Sequence, residues 1–247
     1  MGNQSADEVL DNKISIYGEG LGTFIYHLHN EWCDLFITWK QYENLFVNSK
    51  ERVDLINKHG GGFFFVVERN FWSKAIIQIS GLIGKTKGSL TIRHLPKKIE
   101  KSPQIDKKTK MKLISKIKPL IDVAIANENF LKERRDNLYA HVNYSMRTKQ
   151  TNLKETASVI KIRSAIFSIV EPIRFIIKTV EDADSIPTVI TGTPNEISLL
   201  YSLYDASRWD DYKRAKMKEN WRDVVDKGLD TYPDWLQSQN KNPFDIL

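Results

Sequence analysis

The sequence is poor in the residues that cross-link chains, bind soft metals or make frequent turns. Cys33 is the only cysteine among 247 residues, which excludes a disulfide framework and a thiolate metal site. Twelve glycines and eight prolines are too few for the many turns of an all-β domain. A single thiol is also typical of a reducing compartment, so we expect the protein to be cytoplasmic.

Long hydrophobic runs and a leader are lacking as well. The first thirty residues have no basic start followed by an apolar run, so we expect no signal peptide. The most apolar late stretch, residues 160–180, is interrupted by Lys161, Arg163, Glu171 and Pro172. A membrane span needs about 20 nearly uninterrupted apolar residues. We therefore expect no contact with a membrane.

The pattern that is present is helical. From Leu21 to Phe46, apolar residues recur at steps of three and four, which predicts one long helix with a buried face. No alternation typical of a strand extends over a useful length, so the predicted fold class is all-α. Further helices are expected over about residues 63–83, from about Lys107, over about 153–180 and over 195–227, with a break at Gly60-Gly61-Gly62.

The predicted organisation is one helical domain followed by an appendage. The domain is expected over residues 20–182, and a helical C-terminal extension is expected over residues 195–247. The residues before about Glu19 read as polar and poorly tied down.

Positive charge is concentrated in one segment, residues 85–118, which we call the basic strip. It contains twelve Lys or Arg and two acidic residues, a local charge of +10, so the remainder of the +6 chain carries −4. Such a concentration is typical of contact with a phosphate backbone, and the alternative is a solvated face of a lysine-rich helix. Arg93 is the only guanidinium of the strip, which favours backbone attraction over base reading. The candidate RNA-binding residues are Lys97, Lys98, Lys107, Lys108, Lys110 and Lys112.

Residues 134–141 combine the side chains that RNA cleavage requires. RNA breaks when its 2′-OH attacks the adjacent phosphorus, which needs a proton acceptor, a proton donor and stabilisation of charge on the phosphorane. The histidine of the segment, His141, titrates near neutrality and can act as base or acid. An arginine such as Arg135 offers a charged fork that fits phosphate oxygens. This chemistry requires neither a metal nor a cofactor, and none is expected.

The order Arg135-Asp136, four residues and His141 resembles the motif of the HEPN superfamily (higher eukaryotes and prokaryotes nucleotide-binding). The Trp-rich first helix, residues 63–83 and the run Ser89-Leu90-Thr91-Ile92 resemble the abortive-infection branch, over roughly residues 20–180. Arg52 and His59 also match the loose pattern. However, Arg52 is followed by the apolar Val53, and His59 stands directly before a run of glycines.

The resemblance implies an HEPN-like helical bundle and a metal-independent endoribonuclease that acts in phage defence or as a toxin. Its catalytic residues would be Arg135, Asp136 and His141, with Asp136 orienting a histidine. HEPN nucleases pair two motifs across a homodimer, which implies a composite active site. RNA is the expected partner, together with an antitoxin or a defence-system protein.

Several assignments stay open. In an unbroken helix Arg135 and His141 would lie about 120° apart around the axis, whereas Arg134 and His141 would be nearly aligned. Some HEPN toxins carry a tyrosine two residues after the histidine, where an antitoxin modifies it, but Asn143 occupies that position and Tyr144 follows. Arg134, Asn137, Asn143 and Tyr144 are therefore supporting or alternative site residues.

Two other functions also stay open. One is a catalytically silent HEPN module that binds RNA, nucleotide or a partner protein. The other is a structural helical subunit of a larger defence complex.

Overall fold

The computed structural model describes residues 5–86, 88–127, 131, 135, 157–183 and 195–217. Within these ranges the regular structure is helical and no strand occurs, which confirms the all-α prediction. A 3₁₀ turn over Ile92–His94 precedes the fourth helix. The α-helices are α1 (Ala6–Tyr17), α2 (Glu19–Phe46), α3 (Lys50–Ile83), α4 (Leu95–Lys101), α5 (Lys107–Ile125), α6 (Val159–Glu181) and α7 (Glu196–Met217).

The N-terminal residues form a capped helix, so the prediction of a poorly tied-down segment was wrong. Ser5 accepts a hydrogen bond from the backbone of Glu8, and Glu8 accepts one from the backbone of Ser5, a capping box that starts α1. At the other end of α1, Lys13 Nζ lies 2.6 Å from Glu181 Oε1 and the Tyr17 hydroxyl donates to the same oxygen. Burial and this carboxylate raise the pKa of Tyr17, which is fully buried. The helix is thus fixed by a contact 164 residues away in sequence.

The long helix predicted from the apolar periodicity is confirmed as α2. Its apolar positions recur on one face and are almost completely buried. They include Leu21, Ile25, Leu28, Trp32, Leu35 and Phe36.

The predicted break at the glycine run is confirmed as a kink. Two helical segments meet at Gly60, whose backbone is not helical, and together they form α3 from Lys50 to Ile83. Helix α3 ends against the 3₁₀ turn, where Thr91 Oγ1 donates to Leu82 O and Arg93 Nε donates to Ile83 O. The last carbonyl groups of α3 therefore gain the partners that a helix end lacks.

Helices α5 and α6 pack against each other and supply much of the remaining core. Four apolar side chains of α5 (Leu113, Ile117, Ile121 and Ala124) are buried at helical spacing. Helix α6 begins at the cap residue Ser158 and buries a broader apolar face. Pro119 and Pro172 lie inside these two helices.

The chain divides into two compact units, each made of two separate segments. Unit 1 comprises Met1–Thr38 and Trp72–Val189, and unit 2 comprises Trp39–Phe71 and Ile190–Leu247. Unit 2 has its own apolar cluster, built from Leu45, Leu55, Ile56, Phe64 and Leu200. The predicted boundary between a domain at 20–182 and an extension at 195–247 stays a prediction.

Membrane-spanning character was searched over the described ranges. No helix among them combines the length and the apolar content required to cross a bilayer.

Candidate nucleic-acid interface and catalytic segment

The predicted catalytic segment, residues 134–141, lies between α5 and α6 in the sequence. Leu131 is helical and fully buried, and Arg135 has π-helical backbone and is half-buried. The other motif residues, namely Arg134, Asp136, Asn137, His141, Asn143 and Tyr144, lie outside the described residues, so their predicted roles stay predictions.

The competing Arg52–His59 pattern uses its arginine in the fold. Arg52 is only 1% exposed, and its guanidinium donates a 3.0 Å hydrogen bond to the backbone oxygen of Asn44. Asn44 in turn donates from its side chain to Glu196. Burial lowers the pKa of Arg52, whereas the nearby Tyr201 and Glu196 oppose that shift. The Arg52 guanidinium is therefore enclosed within unit 2, which favours a structural role for this arginine over a role in a nuclease motif.

The basic strip places most of its predicted RNA-binding lysines in solvent. Lys97 lies on the outer side of α4, and Lys107, Lys108 and Lys112 lie on the outer side of α5. Buried Leu113 and Ile117 mark the opposite, inner face of α5. The exposed positions are those at which lysine can meet a phosphate without losing its hydration completely.

Two other predicted RNA-binding lysines differ from this group, because Lys98 and Lys110 are half-buried. Lys98 Nζ lies 5.2 Å above the ring of Phe24, which holds the ammonium group against α2. Phe24 also contacts the ring of His94. Lys98 therefore has a partner within the fold.

The single arginine and one of the two acids of the strip also have structural partners. Arg93 donates to Ile83 O at the end of α3. Asp106 caps α5, because its carboxylate accepts from the backbone of Lys108 and of Thr109 at 2.8 and 3.0 Å. Hydrogen bonds from Thr109, first from its side chain, hold the pKa of Asp106 below its usual value. The surface charge of this region is consequently dominated by lysine.

The turn between α4 and α5 is fixed to the α1–α2 junction. Ser102 is buried, and its hydroxyl donates a 2.7 Å hydrogen bond to the backbone oxygen of Tyr17. Gly18 has a φ of +78°, and a Cβ at this position would lie 2.9 Å from Pro103 Cδ. These contacts set where the two lysine-bearing helices meet.

Three further exposed lysines of α4 and α5 were not among the predicted site residues. They are Lys101 at the end of α4 and Lys116 and Lys118 on α5. The spacing of Lys108, Lys112 and Lys116 by four residues was visible in the sequence and predicts one row on a helix.

His29 and Cys33 of α2 contact each other but do not belong to a metal site within the described part of the chain. His29 stacks on Trp32, and Cys33 Sγ lies 3.8 Å from both ring nitrogens of His29. Burial raises the pKa of the Cys33 thiol to about 11. Across the described ranges, no set of three or more His, Cys, Asp or Glu side chains is arranged to hold a metal ion.

Comparison with known protein families shows to which family the chain belongs. The sequence model of the HEPN family of AbiU2 matches residues 18–213, which include the Arg135–His141 segment and the basic strip. The chain belongs to this family. Membership in the AbiU2 family confirms the HEPN resemblance and its abortive-infection branch. No curated protein and no solved structure matched the chain.

Proposed function

We propose that this AbiU2 family protein is a metal-independent endoribonuclease that acts on cytoplasmic RNA in phage defence or as a toxin. The family match over residues 18–213 carries the proposal, because that region contains Arg135, Asp136 and His141 in the HEPN order. The half-buried position of Arg135 after the basic α5 adds support. In the sequence, the predicted catalytic residues follow α5, the helix that is proposed to hold the RNA.

Each catalytic side chain has a defined role in the proposed reaction. The 2′-OH of the RNA attacks the adjacent phosphorus, the 5′-oxygen leaves, and the product strand ends in a 2′,3′-cyclic phosphate. His141 of one copy accepts the proton of the 2′-OH, and His141 of the partner subunit donates a proton to the leaving 5′-oxygen. Arg135 stabilises charge on the phosphorane oxygens, and Asp136 orients a histidine. One chain has a single histidine in the segment, so a homodimer would supply the acid and the base from two copies. The lysines Lys97, Lys107, Lys108, Lys110 and Lys112 are proposed to attract the RNA backbone. Lys98, which was predicted with them, is left out because its ammonium group lies over the ring of Phe24.

The test is cleavage of RNA in the presence of EDTA. We expect 2′,3′-cyclic phosphate ends, no cleavage of 2′-O-methyl RNA or DNA, and a loss of about 10²–10⁴ in rate for His141→Ala. His27→Ala is a matched control, since His27 is exposed on α2. Intact RNA with the wild-type protein, or equal cutting by His141→Ala, would contradict the ribonuclease proposal.

Separate Arg134→Ala and Arg135→Ala variants decide which arginine acts. We expect Arg135→Ala to lose about 10²–10³ in rate and Arg134→Ala to lose little. The reverse result would assign the role to Arg134, the residue that helical geometry aligns with His141. Binding of RNA by a wild-type protein that does not cleave it would instead indicate a silent HEPN module. Mixing wild-type with His141→Ala chains tests the composite site. A heterodimer would keep only one of the two histidines and should cleave as slowly as the His141→Ala homodimer, whereas two independent sites would leave about half of the activity.

A further inference from the structure

The exposed lysines of α4 and α5 lie on two helices that contact each other in unit 1. On an α-helix a step of four residues advances about 40° around the axis and about 6 Å along it. Lys108, Lys112 and Lys116 therefore form one row about 12 Å long. Lys107 and Lys118 differ by eleven residues and fall within about 20° of each other, on the other flank of the outer face.

The end of α4 continues this surface across the turn. Lys97 and Lys101 are exposed, and the turn between α4 and α5 is held by the hydrogen bond from Ser102 to Tyr17 O. The surface is therefore preformed by the fold. Its density of positive charge complements a polyanion, which in duplex form carries about one charge per 1.7 Å of axis.

We infer that the outer side of α4 and α5 binds the RNA phosphate backbone through a lysine surface that includes Lys101, Lys116 and Lys118 and excludes Lys98. This inference rests on the proposed function and deepens it, because it assigns the substrate contacts. Lys98 serves the fold, since its ammonium lies over Phe24 at 5.2 Å. Recognition through ammonium groups is independent of base sequence, because phosphates carry no sequence information.

The test measures binding of a 2′-O-methyl RNA oligonucleotide, which keeps the phosphate charge and cannot react by 2′-OH attack. For the triple variant Lys101→Gln, Lys116→Gln, Lys118→Gln, the slope of log K against log salt should become shallower by about 2 for a single strand. That change corresponds to about a hundredfold weaker binding at 0.1 M salt relative to a 1 M reference. Lys98→Gln should leave the slope unchanged.

Controls separate a surface effect from loss of folding. Lys213→Gln with Lys216→Gln neutralises exposed positions on α7 and should leave the slope unchanged. Far-UV circular dichroism and the melting temperature should match those of the wild-type protein for every variant.

An unchanged slope in the triple variant, or an equal decrease for Lys98→Gln and Lys116→Gln, would overturn the inference. Binding of wild-type protein to phosphatidylserine vesicles and not to the oligonucleotide would also overturn it. Cleavage of unmodified RNA is measured separately. A protein that binds RNA through this lysine surface but does not cleave it would contradict the ribonuclease proposal and would still support the inferred binding surface.

Discussion

The indole Nε1 of Trp32 donates a 2.8 Å hydrogen bond to the backbone oxygen of Ile166, joining α2 to α6 inside the core of unit 1. Both residues are almost completely buried. This bond allows a polar indole group to lie in an apolar interior without losing its hydrogen-bond partner.

Replacing Trp32 by Phe should lower the free energy of unfolding by about 1–3 kcal/mol, because the hydrogen bond is lost and a cavity remains. Urea unfolding followed by far-UV circular dichroism measures the change. Trp209→Phe is the control and should change stability by less than about 0.5 kcal/mol, since Trp209 is 56% exposed. Equal effects of the two substitutions would contradict the assigned burial.

Gly18 and Gly81 should respond in opposite directions to the same substitution. Gly18→Ala should destabilise the protein by more than about 1 kcal/mol, because φ is +78° and the new Cβ would approach Pro103 Cδ at 2.9 Å. Gly81→Ala should stabilise it by about 0.5–1 kcal/mol, since Gly81 is helical and the position of the new Cβ is open. Thermal melts of both variants test the pair, and stabilisation by Gly18→Ala would refute the described junction.

His29 should make the protein less stable in mild acid. Burial, followed by the charge of Lys13, lowers the pKa of His29 below its ordinary value of 6.5, and Glu181 opposes that shift. The unfolded chain therefore takes up the proton first as the pH falls. The stabilisation is complete above about pH 6.5 and is lost as the pH falls through the lower folded-state pKa. We expect the free energy of unfolding of the wild-type protein to decrease more than that of His29→Gln between pH 7 and pH 5. Parallel pH profiles of the two proteins in urea unfolding would contradict the proposed contribution of His29.

Cys33 should react slowly with thiol reagents while the protein is folded. Its pKa of about 11 leaves roughly one thiol in a thousand ionised at pH 8. In guanidinium chloride the pKa returns to about 8.5, and the rate of reaction with a disulfide reagent should rise at least about tenfold. A spectrophotometric thiol assay compares the two rates, and a fast reaction of the native protein would show an ionised thiol instead.

The sequence predicted the long helices because apolar side chains repeat at steps that only a helix places on one face. Helix α2 is the clearest case, since a single buried stripe runs along it. Helix α1 was missed although the capping pair Ser5 and Glu8 was present in the sequence. The helix is also held by the hydrogen bond from Tyr17 to Glu181. A contact between residues 164 positions apart cannot be predicted from a local sequence pattern.

The sequence predicted which residue types form the candidate site, but it predicted the orientation of their side chains less well. Helical spacing on α5 identifies which lysines share a face, and that information is local. The position of Lys98 depends on Phe24, which lies in another helix and has no sequence relationship to the strip. Arg52 shows the same difficulty, because the matched pattern carries no sign that its guanidinium is enclosed by unit 2. Most of the motif from Arg134 to His141 lies outside the described residues, and its arrangement stays a prediction.

The discontinuous make-up of unit 2 limits how this protein can be divided into fragments. Leu200 of α7 belongs to the same apolar cluster as Leu45, Leu55 and Phe64, and Lys58 donates to the hydroxyl of Ser207. A chain shortened to end at Val189 would uncover that cluster, so it would be prone to aggregate and would not behave as a minimal folded domain. Fragments for expression, and fusion points for reporters, should therefore keep α7 together with the segment from Trp39 to Phe71.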